Sequence, residues 1–131
     1  MRAHLTRREI EPGVVEEVVA ELLDLGYLDD ARFARRFAED RRALDGWGAE
    51  RIERRLRDLG VGAEDMAAAF EDHDAEDEAR AAAEYLARRQ RAPFADLRER
   101  QRALAALVRR GFELEVAHEA IRRHDGAAAA G

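Results

Sequence analysis

"LRDLGV", residues 56–61, returns 51 positions later as "LVRRGF", residues 107–112, and has a looser forerunner 51 positions earlier in "LTRREI", residues 5–10. In each copy a leucine is followed five residues on by an apolar residue: Ile10, Val61 and Phe112. Val19, Phe70 and Ile121 keep the same register. Recurrence at constant spacing marks a chain assembled from repeated supersecondary units. The physical content of the motif is a helix stop. A glycine just past the last turn takes the left-handed backbone that other residues avoid, and the apolar residues flanking it pack on each other. Gly60 and Gly111 fit this pattern, as does Gly26 between Leu22 and Tyr27. The first copy has Glu9 at that place, so its cap is expected to be looser.

A start signal follows the first stop in "GYLDDARFARRF", residues 26–37. Asp29 can act as N-cap, its carboxylate accepting from an early backbone N–H at the positive helix end. Leu28 and Phe33 then take the two positions of a hydrophobic staple. Phe33, Phe37 and Leu44 fall on one face. The same reading along the chain predicts helices over residues 2–9, 13–25, 30–44, 49–59, 63–72, 76–91, 95–110 and 113–124, with the tail "GAAAAG" expected to fray. Helix 13–25 should bury Val15, Val18, Val19 and Leu22, and helix 49–59 Ile52, Leu56 and Leu59. Trp47, between Gly46 and Gly48, is expected to cover a junction. No strand pattern occurs, and the fold class read from the sequence is all-α.

Composition narrows the chemistry. With 131 residues, 47% apolar and 40% charged, the chain can build a core and leave a heavily charged surface. It has no cysteine, serine, lysine or asparagine, and Thr6 is the only aliphatic hydroxyl. Disulfides, thiolate metal sites, Schiff-base chemistry, a Walker-type lysine and serine acyl transfer are therefore closed to it. No apolar run approaches the roughly 20 residues needed to span a bilayer, and "MRAHLTRREIEPG" has no signal-like apolar stretch. A soluble cytoplasmic protein is expected.

Four histidines, His4, His73, His118 and His124, are too scattered for a metal-ligand spacing, and read as bystanders. Asp72, Asp74 and Glu76 alternate as in a calcium loop. The sixth position of such a loop is Asp77 instead of glycine, and the twelfth is Ala83, so no metal or cofactor is expected. The arginines remain. The net charge is −6, but its sign is uneven: eight acids and no arginine between Glu64 and Glu78, against five arginines and one acid between Arg98 and Arg110. From Arg51 to Asp58, four arginines face two acids. Arg54 and Arg57 lie opposite the apolar stripe of their helix, Arg51 and Arg55 flank it, and Arg98, Arg102 and Arg109 share one side of theirs. These seven are the candidate partner-binding residues, with solvated, ion-paired faces as the plain alternative.

"GYLDDARFA" followed by "GWGAERIERRLRDLGV" resembles the RecX family of bacterial recombination regulators. The matching positions are Gly26, Tyr27, Leu28, Asp29, Asp30, Arg32, Phe33, Ala34, Gly46, Gly48, Ile52, Leu56 and Gly60, and "LVRRGFELEVAHEAI" looks like the family's last repeat. Ala49 stands where the family often has proline. The resemblance implies an elongated, curved array of tandem three-helix repeats. Residues 1–28 would be a shortened first repeat, 29–75 a central one, 76–125 a C-terminal one and 126–131 a disordered tail. It also implies a non-enzymatic monomer without cofactors. Such a protein binds the RecA–ssDNA filament and modulates, in the inhibitory direction, its ATPase, strand-exchange and co-protease activities in recombination, DNA repair and the SOS response. Weak direct DNA binding would be a lesser trait. A helix-turn-helix-like DNA-binding module and a generic helical-repeat scaffold are the alternatives.

Overall fold

The computed structural model describes residues 12–26 and 29–130, with side chains described for 16–26 and 29–126. Among these residues there are seven α-helices and no strand: α1 (Pro12–Asp24), α2 (Asp30–Asp40), α3 (Ala49–Asp58), α4 (Ala63–Ala67), α5 (Ala75–Arg89), α6 (Leu97–Arg109) and α7 (Leu114–Ala130). The expected helix 2–9, the "LTRREI" copy, His4, Tyr27 and Leu28 lie outside the described residues, so the staple does too.

The stops form as the motif requires. Gly60 and Gly111 have φ of 91° and 102°. Val61 N–H donates to the Leu56 carbonyl at 3.0 Å and Gly60 N–H to Arg57 at 3.0 Å; Phe112 to Leu107 and Gly111 to Val108 repeat this at 3.2 and 3.0 Å. This is the double bond of a Schellman cap, and Leu56, Val61, Leu107 and Phe112 are all buried beside it. Gly26 (φ 75°) likewise donates to Leu23 at 3.1 Å. Asp29 caps α2, its Oδ1 accepting from Arg32 N–H at 3.1 Å. Asp74 and Asp77 form a reciprocal capping box at the start of α5, with bonds of 2.9 and 3.1 Å.

Several elements differ from the sequence expectation. The helix expected over 30–44 leaves α geometry after Asp40 for a π turn, Arg41–Asp45, closed by Gly46 in the left-handed conformation. One extra residue in a turn rotates the residues after it by roughly 100°. Leu44, expected on the stripe of Phe33 and Phe37, is therefore thrown outward and is 73% exposed. The helix expected over 63–72 ends at Ala67 and tightens into a 3₁₀ turn, Ala68–Phe70. Among the described side chains of α1, Val19 and Leu23 are buried and Val18 and Leu22 half-buried; Val15, also expected in the core, lies outside the described side chains. The last helix continues past residue 124 to Ala130, because a run of alanines is the strongest helix former and tolerates the single Gly126.

Two apolar cores result. Val19 and Leu23 of α1 join Ala34, Ala38, Ile52, Leu56, Val61 and Met66 in the first, with Phe33, Phe37, Trp47 and Phe70 packed around it. Ala82, Tyr85, Leu86, Leu107, Phe112, Ala117 and Ile121 form the second. The seam between them holds the two repeats in register.

Candidate partner-binding surface

The seven arginines singled out by sequence divide into two groups. Arg51 and Arg55 make contacts within the protein. The Arg51 guanidinium stacks on the Trp47 ring at 4.2 Å from its centroid, and Arg55 pairs with Glu16 of α1. Both are half-buried, because they flank the stripe that buries Ile52 and Leu56. The other five face solvent. Arg57 makes an i,i+4 pair with Glu53 at 2.8 Å while remaining 64% exposed. Arg54 on α3, and Arg98, Arg102 and Arg109 on α6, are exposed and make no ion pair among the described residues. Unpaired guanidinium groups on two helices are available to an anionic partner, and their planar fork binds carboxylate or phosphate bidentately.

The orientation of these two helices is set at the seam. Gly48 N–H donates to the Arg110 carbonyl at 2.7 Å and Glu50 N–H to the Gly111 carbonyl at 2.9 Å, so the start of α3 is bonded to the end of α6 through backbone alone. The approach requires glycine on both sides. A Cβ on Gly48 would lie 2.5 Å from the Gly111 carbonyl and Phe112 N, and one on Gly111 would lie 2.3 Å from Arg51 Cβ. Ala49 N–H, a further orphan donor of α3, is taken by Glu78 Oε2 at 2.7 Å. Glu78 is only 8% exposed, and its other oxygen accepts from His73 Nε2 at 2.8 Å. Arg110 ties the remaining edge, donating from Nε to Tyr85 Oη at 2.9 Å and from Nη1 to the Asp45 carbonyl at 2.8 Å.

Of the family-motif positions, Gly48 belongs to this seam, Gly26 and Gly60 to helix stops, Asp29 to an N-cap, and Phe33 to the first core. Asp30 and Arg32 sit on the first turn of α2, with Arg32 exposed. The seam residues Glu78, His73, Tyr85 and Arg110 are absent from the candidates read by sequence. His73 is no bystander but a partner of the buried Glu78. Arg42 is another internal tie: it donates to the Ala69 carbonyl at 3.0 Å, and desolvation by burial pushes its pKa below the usual arginine value. Among the described residues no group of three or more His, Asp or Glu side chains could hold a metal ion, and no helix is long and apolar enough to cross a membrane.

With this geometry in view, the comparisons with known proteins agree with each other. The RecX second three-helix domain matches residues 29–69, and the RecX third three-helix domain matches residues 74–121. The chain is 38% identical over 122 residues to the regulatory protein RecX of Deinococcus radiodurans, covering 93% of this chain and 58% of that protein. It is 33% identical to the RecX of Corynebacterium efficiens (92% and 63% covered) and 32% identical to that of Mycobacterium sp. strain KMS (89% and 67% covered). A crystal structure of RecX from Lactobacillus salivarius superposes with a TM-score of 0.62 at 18% identity, over 88% of this chain and 77% of that one. Two successive three-helix domains in family order, on an all-α repeat fold, leave one assignment: this chain belongs to the RecX family of regulatory proteins.

Proposed function

We propose that this chain binds the RecA recombinase filament and modulates its ATPase, strand-exchange and co-protease activities, in the inhibitory direction, as a non-enzymatic cytoplasmic monomer. Residues 29–75 and 76–125 would be the two working repeats. Membership of a regulatory family supports the reading. The observation that carries it is the set of exposed guanidinium groups, Arg54 and Arg57 on α3 with Arg98, Arg102 and Arg109 on α6, set on two repeats whose angle is fixed by a backbone-bonded seam. A rigid guest with cations at two separated places suits a helical groove lined by protein carboxylates and bound nucleic acid. The net charge of −6 disfavours naked DNA as the main target and leaves direct DNA binding weak.

Cosedimentation with preformed RecA–ssDNA filaments, compared with naked single strands, tests this. Wild-type protein should pellet with filaments, and replacing Arg54, Arg57, Arg98 and Arg102 by glutamine should remove most of that binding at an unchanged melting temperature. Saturation of filaments by the quadruple variant at wild-type concentrations would sink the assignment of these faces.

A further inference from the structure

We propose that the seam between the two repeats carries a docking cleft for a short acidic segment of a partner protein, with arginines taking its carboxylates and Leu44 an apolar side chain. Two adjoining depressions share Tyr85 and Arg89. One, of about 410 Å³, lies between α5 and α6 and is bordered by Arg102 and Arg109; the other, of about 370 Å³, lies where the π turn meets α5 and is bordered by Leu44, Arg88 and Arg110. Five arginines thus face two carboxylates, Glu99 and Asp45. Both carboxylates are already engaged. Glu99 accepts from Gln90 Nε2 at 2.7 Å and from Ala95 N–H at 3.3 Å, and Asp45 pairs with Arg41 at 2.5 Å. None of the five arginines makes an ion pair among the described residues.

The cluster is also organised. Arg89 and Arg110 both donate to Tyr85 Oη, at 3.0 and 2.9 Å, and Arg110 reaches the Asp45 carbonyl as well, so two of the five cations are held in place before any partner arrives. Preorganised cations lose less entropy on binding. Three features select a protein segment over a nucleic-acid strand. Tyr85 is 7% exposed, so the cleft has no aromatic face on which a base can stack. Its apolar contribution at the rim is instead Leu44, 73% exposed and held out by the π turn. A net charge of −6 opposes a long polyanion, whereas a segment with a few carboxylates feels chiefly the local cations within a Debye length.

The test is fluorescence anisotropy with a labelled peptide that alternates paired acids with leucine, beside labelled oligothymidylate as the phosphodiester probe. The triple variant Arg88→Gln, Arg102→Gln, Arg109→Gln should weaken peptide binding by roughly tenfold or more. None of these three side chains makes a hydrogen bond among the described residues, so the variant should melt as the wild type does. Leu44→Ala should weaken the peptide by roughly threefold to tenfold and leave oligothymidylate unchanged. No peptide binding to the wild type, or unchanged peptide affinity in either variant, overturns the proposal. So does oligothymidylate binding that exceeds the peptide's and is lost in the triple variant. The cleft is read from its own geometry and probed by peptide, so failure of filament binding and failure of the cleft are separate results.

Discussion

Gly48→Ala is the sharpest probe of how the repeats are joined. Gly48 has an ordinary extended backbone, φ −85° and ψ 171°, so alanine meets no dihedral penalty there. The penalty is steric: the new Cβ would stand 2.5 Å from three backbone atoms of Gly111 and Phe112, none of which can swing away as a side chain could. Reaching an ordinary contact of about 3.5 Å requires the two segments to part by about 1 Å. That opening stretches the Gly48 to Arg110 and Glu50 to Gly111 bonds, now 2.7 and 2.9 Å, beyond useful length. Two lost bonds at about 1 kcal/mol each, with about 1–3 kcal/mol of residual overpacking, give a destabilisation of about 3–5 kcal/mol. For a chain of this size the melting temperature should fall by roughly 10–20 °C. Because each repeat keeps its own core, the unfolding transition should also broaden or split. Trp47 is the only tryptophan and stacks against Arg51 next to the seam, so its fluorescence can be compared with far-ultraviolet circular dichroism in one urea titration. Gly62→Ala is the control, with no heavy atom within 4 Å of its Cβ and an expected change within about 0.5 kcal/mol. If Gly48→Ala and Gly62→Ala melt alike, the seam does not depend on close backbone approach and the reasoning fails.

The two equivalent caps should respond unequally. Gly60→Ala meets open space and only the left-handed backbone, costing about 1 kcal/mol, whereas Gly111→Ala adds a contact of 2.3 Å with Arg51 Cβ and should cost at least twice as much; equal denaturation midpoints would refute this. Asp77 should report on acid stability. The Asp74 backbone N–H, first among several causes, holds its carboxyl below the usual value. A folded-state pKa below the unfolded one contributes stability that is present above the unfolded carboxylate range and is lost as pH falls through the folded value. Asp77→Ala should therefore lower the melting temperature at neutral pH and lose that difference from wild type in acid; a constant gap down the titration would refute the assignment.

Much of this fold was legible because its signals are local. A glycine set between two apolar residues five apart, or an aspartate just ahead of an amphipathic run, specifies a stop or a start through bonds spanning a few residues, and Gly60, Gly111 and Asp29 all behave so. Leu44 departs from its expected face for a different reason. Apolar spacing assumes 3.6 residues per turn, and the π turn of Arg41–Asp45 inserts a residue that no periodicity announces. Glu78 was hidden by its company. It ends a run of acids in which Asp77 caps a helix and Glu76 is exposed, yet it alone is buried, because the α3 N-terminus and His73 both supply donors to it. Arginine sites were half legible: distance from the apolar stripe separated exposed Arg54 and Arg57 from half-buried Arg51 and Arg55, but not paired from unpaired guanidinium groups.

The period of 51 residues identifies the unit but not how units meet. Seam contacts join positions that the repeat does not make equivalent: Gly48 to Arg110, 62 apart, and Asp45 to Arg110, 65 apart. Gly60 and Gly111 therefore share a backbone geometry while differing in surroundings, one in open space and the other wedged against Arg51. Local patterning selects the conformation of each cap, and only the stacked array decides which cap is also a joint. The same separation applies to the charges. Arg110 occupies the end of a basic helix, where sequence alone reads it with Arg109, but Tyr85 and the Asp45 carbonyl recruit it into the seam while Arg109 stays in solvent. The seam thus does two things at once: it fixes the angle between the helices carrying the exposed arginines, and it sets Arg88, Arg89 and Arg110 beside two of them, Arg102 and Arg109, around Tyr85.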